Sequence, residues 1–121
     1  MGYVRSGHKD HGRQNQIEGK MEPGTKVVVI EDLISTGGSV LEVVDVLRQA
    51  GAEVLGIASI FTYGLQKGVE RLAAADVVNY SLSDFDTLSK VAAAEGYIAD
   101  KDIAKLTAFQ KNPQDPAWME L

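Results

Sequence analysis

One stretch of the sequence, residues 27–40, most strongly limits what this chain can fold into. It opens with four consecutive β-branched apolar residues at positions 27–30, which predict a strand buried on both faces. Two carboxylates, Glu31 and Asp32, follow this strand, and a turn of small residues then leads into a run with helical spacing. A second apolar run at residues 54–61 predicts the next strand. Strand, turn, helix and strand in this order predict a βαβ unit, and therefore an α/β fold with a mostly parallel sheet.

The elements around this unit are predicted from hydrophobic spacing and from turn residues. The helix after the turn has apolar residues at i, i+3, i+4 and i+7, namely Val40, Val43, Val44 and Leu47, and Gly51 is placed to end it. Downstream we expect a helix around residues 69–73 and a strand over 76–80. Ser83 is expected to cap a further helix that ends at Gly96, with Leu88, Val91 and Ala92 facing inward. A last helix should start at Asp100 and stop before Pro113, and the tail around Trp118 should pack back onto the protein. We interpret this downstream region as scaffold.

The small-residue turn has the composition of a phosphate site. A helix that starts near residues 36–39 directs several unpaired backbone N–H groups into the turn. Gly37 and Gly38 allow the backbone to approach a ligand closely, and Thr36 and Ser39 add hydroxyl donors. These groups suit a phosphate monoester at a helix N-terminus. The alternative interpretation is a tight strand-to-helix turn in which Ser or Thr is simply the helix cap.

The two acids before the turn predict a second function for the same site. Glu31 and Asp32 would repel a phosphate, but they can accept hydrogen bonds from a vicinal diol or hold Mg²⁺ through water. A phosphate cradle beside a diol acceptor describes a ribose 5-phosphate site. The loop contains neither G-x-x-x-x-G-K-[ST] nor G-x-G-x-x-G, the two common nucleotide-binding patterns.

A basic segment lies near the N-terminus of this otherwise acidic chain. Residues 6–15 contain no apolar side chain, and we expect a mobile loop over about residues 5–16. Its cations Arg5, Lys9 and His11 could stabilise the negative charge that builds on a pyrophosphate leaving group once the loop closes. The alternative is a solvated loop whose charge is incidental.

Two motifs resemble those of a known enzyme family. Residues 27–40 resemble the phosphoribosyl diphosphate (PRPP) motif of type I phosphoribosyltransferases, which have a Rossmann-like fold. The segment Tyr3-Val4-Arg5-x-x-x-Lys9-Asp10-His11-Gly12, followed by residues 15–19, resembles the catalytic loop of the orotate-using members. The resemblance implies transfer of ribose 5-phosphate from PRPP to orotate, giving orotidine 5′-phosphate and pyrophosphate in pyrimidine (UMP) biosynthesis.

The resemblance also implies roles for individual residues, a metal and partners. By this analogy Arg5, Lys9 and His11 are catalytic and also bind PRPP. The other PRPP-binding residues are Glu31, Asp32, Leu33, Ile34, Ser35, Thr36, Gly37, Gly38 and Ser39. Ser35 also contacts orotate. Mg²⁺ would be carried by PRPP, without a direct protein ligand. A homodimer is implied, in which the catalytic loop reaches the active site of the partner subunit.

The match has two departures and covers only part of such an enzyme. Ser6 stands where many members have a second lysine, and Tyr63 stands where some have an arginine for the orotate carboxylate. Residues 1–121 correspond to the C-terminal part of a single phosphoribosyltransferase domain whose N-terminal part is missing. We therefore expect this chain alone to be inactive.

Composition limits the other classes of function. The net charge of −5 argues against nucleic acid as the main partner. The chain has no cysteine, and no apolar run approaches the roughly 20 residues of a membrane span, so a cytoplasmic enzyme with no membrane partner is expected. The alternatives that remain are a phosphoribosyltransferase for another base and a non-catalytic, PRPP-sensing regulator.

Overall fold

A sheet of three parallel strands organises the fold in the computed structural model, which describes residues 1–5 and 16–121. The strands are adjacent in chain order: β3 (Lys26–Ile34), β4 (Glu53–Thr62) and β5 (Asn79–Asp84). Helix α1 (Gly38–Gln49) connects β3 to β4, and α2 (Gln66–Ala74) connects β4 to β5. The predicted βαβ unit and the α/β class with a parallel sheet are thus confirmed.

Short elements flank the sheet on both sides in the sequence. Strands β1 (Tyr3–Val4) and β2 (Ile17–Glu18) form an antiparallel pair, and the amide of Arg5 donates to the carbonyl of Gln16 at 2.6 Å. After β5 come α3 (Phe85–Ala94), α4 (Asp102–Lys111) and a 3₁₀ helix (Pro116–Glu120). Lys9 and His11, with most of the predicted catalytic loop, lie outside the described residues.

The core lies between the sheet and α1. Val29 of β3 and Ile57 of β4 are register partners, and they pack with Val40, Val44 and Leu47 of α1. The apolar stripe predicted for this helix is therefore its buried face. Gly51 has a φ of 94°, the left-handed conformation predicted for the residue that follows the helix.

The prediction that β3 is buried on both faces is wrong. The side chains of Val28 and Ile30 are 52% and 76% exposed. Ile30 is in register with Ala58 of β4, which is in register with Tyr80 of β5, so Tyr80 lies on the same exposed face. Successive right-handed crossovers in one direction place α1 and α2 on one face of the sheet. In the described part of the chain the opposite face therefore has no covering layer.

The last strand of the sheet starts later than predicted. The strand predicted over residues 76–80 begins only at Asn79, because Asp76 has a φ of 54° and belongs to the turn after α2. Arg48 of α1 fixes this turn by donating to the carbonyls of Ala75 (2.6 Å) and Asp76 (3.0 Å). The turn thus delays the start of β5.

In α3 the predicted cap and two of the three predicted inward residues are wrong. The N-cap is Asp84 rather than Ser83, and Leu88 and Val91 are exposed, whereas Ala92 is half-buried and Ser89 is buried. Phe85 sets this orientation, because its ring contacts those of Tyr63 and Phe109 and thereby turns the face of Phe85 and Ser89 toward the protein.

The C-terminal segment packs back onto the end of the sheet, as predicted. Five aromatic rings form a continuous row from β4 to the 3₁₀ helix, with centroid separations of 5.4–5.9 Å. The row consists of Phe61, Tyr63, Phe85, Phe109 and Trp118. In addition, Gln110 of α4 donates to the carbonyl of Tyr63 at 2.9 Å. The row and this hydrogen bond tie α4 to the carboxyl end of β4.

Candidate functional site

Two adjacent acids lie at the carboxyl end of β3 and differ in environment. Glu31 is half-buried and Asp32 is exposed, and the amide of Asp32 donates to Oε1 of Glu31 at 3.0 Å. Partial burial, reinforced by the carboxylate of Asp32, raises the pKa of Glu31 above 4.5. The hydrogen bond with Glu31, helped by the amide of Leu33, lowers the pKa of Asp32 below 3.8. The pair therefore combines a persistently charged carboxylate with one that takes up a proton more readily.

The segment between β3 and α1 forms an open helix start. Ser35, Thr36 and Gly37 connect the two elements, and Gly37 has a φ of 85° as the N-cap of α1. No side chain caps the helix, and its first backbone bond runs from the amide of Leu41 to the carbonyl of Gly37 at 3.0 Å. The interpretation of this turn as a Ser or Thr cap is therefore wrong. Instead, the first amides of α1 are left available for a ligand.

The neighbouring strand supports this segment from one side. The amide of Tyr63 donates to the carbonyl of Ile34 at 3.0 Å, directly before the turn. Ile34 itself is only 2% exposed, so its side chain belongs to the core. The ring of Tyr63 lies between those of Phe61 and Phe85 in the aromatic row. Tyr63 is thus held by the scaffold.

Helix α2 supports the turn from another side, through residues that the sequence did not single out. Nη1 of Arg71 donates to the carbonyl of Thr36 at 3.4 Å. Gly68 is buried so close to the turn that a Cβ added to it would lie 2.6 Å from the carbonyl oxygen of Ser35. These contacts join residues more than 30 positions apart, so no local sequence pattern could have revealed them.

The structure places the predicted site residues in two groups. The residues from Glu31 to Ser39 are contiguous around the carboxyl end of β3 and the start of α1. Arg5 follows β1, where its Nε pairs with Oε1 of Glu18 at 3.0 Å. Lys9 and His11 fall in the part of the chain that is not described, so their predicted place at the site is untested.

The donor set can be compared with what Mg²⁺ requires. Over residues 1–5 and 16–121, no group of three or more His, Cys, Asp or Glu side chains is arranged to hold a metal ion. Glu31 and Asp32 provide two carboxylates, which can hold a hydrated Mg²⁺ ion through its waters while a bound diphosphate supplies its direct ligands.

Among the helices in the described part of the chain, none has the length and apolar character needed to cross a bilayer.

Comparison with known proteins agrees with this geometry. Residues 4–91 match the model of the phosphoribosyl transferase domain family. The chain is 60% identical over 119 residues to an orotate phosphoribosyltransferase from Bacillus cytotoxicus; the match covers 98% of this chain and 57% of the relative. This chain therefore spans little more than half the length of that curated relative.

Solved structures show the same relation. Orotate phosphoribosyltransferase from Aeropyrum pernix has a TM-score of 0.65 at 32% identity, covering 81% of this chain and 52% of that one. Orotate phosphoribosyltransferase from Mycobacterium tuberculosis in complex with PRPP has a TM-score of 0.58 at 28% identity, covering 69% and 46%. The family model covers residues 4–91, which is most of this chain. The chain therefore belongs to the phosphoribosyltransferase family.

Proposed function

We propose that this chain is the C-terminal portion of an orotate phosphoribosyltransferase, which transfers the ribose 5-phosphate of PRPP to orotate. The observation that carries the proposal is the uncapped start of α1 directly after the acid pair of β3. The 60% identity to an orotate phosphoribosyltransferase and the likeness to one that binds PRPP support the same substrates.

In the proposed site each group has a separate role. The amides and hydroxyls of residues 36–39 bind the 5-phosphate, and Glu31 and Asp32 accept hydrogen bonds from the ribose hydroxyls. Leu33, Ile34 and Ser35 line the turn, and Ser35 also reaches orotate. These contacts hold the sugar while its C1–O bond to pyrophosphate breaks and the bond from C1 to the orotate nitrogen forms. Positioning and charge stabilisation then supply most of the rate enhancement.

The remaining charge stabilisation is assigned to the basic segment. Arg5, Lys9 and His11 would neutralise the departing pyrophosphate, as a loop that closes over the site of a partner subunit in a homodimer. Bound Mg²⁺ would neutralise further charge on the diphosphate, and Glu31 and Asp32 would orient its waters. A cytoplasmic location is proposed with this metabolic role.

The proposal is tested by completing the chain. Joining it to the N-terminal part of the Bacillus cytotoxicus relative gives a protein of family length, called here the completed enzyme. We expect it to convert orotate and PRPP to orotidine 5′-phosphate, and to give far lower rates with uracil, hypoxanthine or adenine. A preference for another base would reassign the substrate, and PRPP binding without any turnover would support a regulator.

The role of the basic segment is tested by Lys9→Ala in the completed enzyme. Losing one transition-state donor is expected to lower kcat about 100-fold or more, with a much smaller effect on PRPP affinity. Lys20→Ala removes the same charge from an exposed position outside the predicted loop and is the matched control. An unchanged kcat for Lys9→Ala would remove Lys9 from the mechanism.

A further inference from the structure

The carbonyl groups of the turn between β3 and α1 point toward α2. A Cβ added to Gly68 would meet the carbonyl oxygen of Ser35 first, at 2.6 Å, and the carbonyl carbon of Thr36 only at 3.5 Å. One turn further along α2, Nη1 of Arg71 donates to the carbonyl of Thr36. Helix α2 thus contacts two successive carbonyls of the turn.

The orientation of these carbonyls fixes the orientation of the amides. In a trans peptide the C=O and N–H groups point in opposite directions, and the described residues contain no cis peptide bond. Because the carbonyls of Ser35 and Thr36 face α2, the N–H groups of Thr36 and Gly37 face away from it. They directly precede the first amides of α1, which no side chain caps.

Arg71 also contributes charge at this position. A Cβ added to Gly38, the first residue of α1, would lie 3.4 Å from its Nη1 atom. The guanidinium is therefore close behind the helix start, where its positive charge adds to that of the helix dipole. It is half-buried, so this charge is less screened by solvent than that of a fully exposed cation.

We propose that Arg71 is a positioning residue, which holds the Ser35–Gly37 turn with its amides directed at the 5-phosphate of PRPP. This inference rests on the proposed function, because it assumes that the turn binds that phosphate. Arg71 acts through the turn and does not contact the reacting atoms. Its effect is therefore confined to the affinity for the phosphorylated sugar.

The test compares Arg71→Ala, Arg71→Gln and Arg71→Lys in the completed enzyme. For Arg71→Ala we expect the KM for PRPP and the inhibition constant of ribose 5-phosphate to rise about fivefold, the effect of losing one long, partly exposed hydrogen bond. The kcat and the KM for orotate should stay unchanged. Arg71→Lys should recover part of the affinity through its charge, and Arg71→Gln should recover less.

Lys67→Ala is the matched control, because it removes one positive charge from an exposed position of the same helix. An equal loss in this control, an unchanged KM for PRPP in Arg71→Ala, or a fall in kcat alone would overturn the inference. If Arg71→Ala shows no thermal unfolding transition and is therefore not folded, the KM for PRPP and the kcat of Arg71→Gln are judged by the same criteria. If the completed enzyme without substitutions neither turns over nor binds ribose 5-phosphate, both the proposed function and this inference are refuted. If it is active and Arg71→Ala has the same KM for PRPP, only this inference is refuted.

Discussion

At the scale of single residues, the unequal acidity of Glu31 and Asp32 links the site to pH. The raised pKa of Glu31 means that the fold favours its neutral form, so ionising it lowers the free energy of unfolding as the pH rises through that pKa. In the proposed site, binding of the ribose hydroxyls is favoured by the opposite, ionised form, which is the stronger acceptor. Stability and function therefore make opposing demands on this residue.

Replacing Glu31 with Gln should separate these two demands. We expect kcat/KM for PRPP to fall about 10- to 100-fold through the lost charged acceptor, without any loss of thermal stability at pH 7. The acid side of the PRPP affinity profile should also move to lower pH, because Glu31, the first of the pair to take up a proton, no longer titrates in the variant.

To check this, kcat/KM and PRPP affinity are measured as a function of pH, and thermal unfolding is measured at pH 7, for the completed enzyme and its Glu31→Gln variant. Glu53→Gln, an exposed carboxylate at the opposite end of the neighbouring strand, is the charge-matched control. A Glu31→Gln variant that keeps wild-type activity would contradict the assignment of Glu31.

Gly37 and Gly38 provide a matched pair for the turn. Gly37→Ala should lower the free energy of unfolding by about 1–2 kcal/mol, because an L side chain is strained at a φ of 85°. Gly38→Ala is at the first position of α1, where φ is not positive, and should be neutral or stabilising by up to about 1 kcal/mol. Denaturant titration of the completed enzyme measures both, and equal losses would show that the left-handed conformation is not what limits this position.

At the scale of secondary structure, the sequence was sufficient where a pattern is local. Val40, Val43, Val44 and Leu47 predicted α1 and its buried side, and Gly51 predicted its end, because spacing and chirality act within a few residues. The acid pair and the glycine turn were likewise located from the sequence. What failed depends on distant contacts: Phe85 orients α3 through Tyr63 and Phe109, and Arg48 holds the turn before β5. The support of the turn by Arg71 is invisible in the sequence for the same reason.

The cap of α3 provides a prediction for that helix. Oδ1 of Asp84 accepts from the amide of Thr87 at 2.7 Å, and this bond lowers the pKa of Asp84. Asp84→Ala should therefore lower the free energy of unfolding by about 1 kcal/mol at pH 7. The difference should shrink as the pH falls through the lowered pKa, because the stabilisation belongs to the ionised form.

Asp84→Asn is the control, since Asn retains capping ability without the charge. It should lie between Asp84→Ala and wild type at pH 7, and its stability should not change as the pH falls through the pKa of Asp84. Urea titrations at several pH values distinguish the outcomes, and a constant difference between Asp84→Ala and wild type would contradict a role for the ionised cap.

At the scale of the whole molecule, the exposed face of the sheet is the dominant feature. It includes Ile30, Tyr80 and Leu82, which are 76%, 72% and 87% exposed. Apolar surface of this extent in a parallel sheet is normally covered. Since this chain spans 57% of the Bacillus cytotoxicus relative, we expect the N-terminal part of the completed enzyme to cover this face.

One substitution should then have opposite effects in two settings. Tyr80→Thr is expected to reduce self-association of the isolated chain, because it removes exposed apolar area. In the completed enzyme it should lower the free energy of unfolding by about 2–4 kcal/mol, because the same ring is buried there. Light scattering and urea titration measure the two effects.

Tyr97→Thr is the control, because Tyr97 is 82% exposed and follows α3 instead of lying on a strand of the sheet. It should have little effect in either setting. If Tyr80→Thr behaves like this control in the completed enzyme, the N-terminal part does not cover the face.

The aromatic row gives the molecule an internal optical reporter. Trp118, the single tryptophan of the sequence, ends the aromatic row. The row begins at Phe61 of β4, and its next member, Tyr63, donates to the carbonyl of Ile34 directly before the turn that leads to α1. Because the indole and the proposed ribose phosphate site share this scaffold, occupancy of the site should alter tryptophan emission, and PRPP binding by the completed enzyme could be followed without a dye or a label.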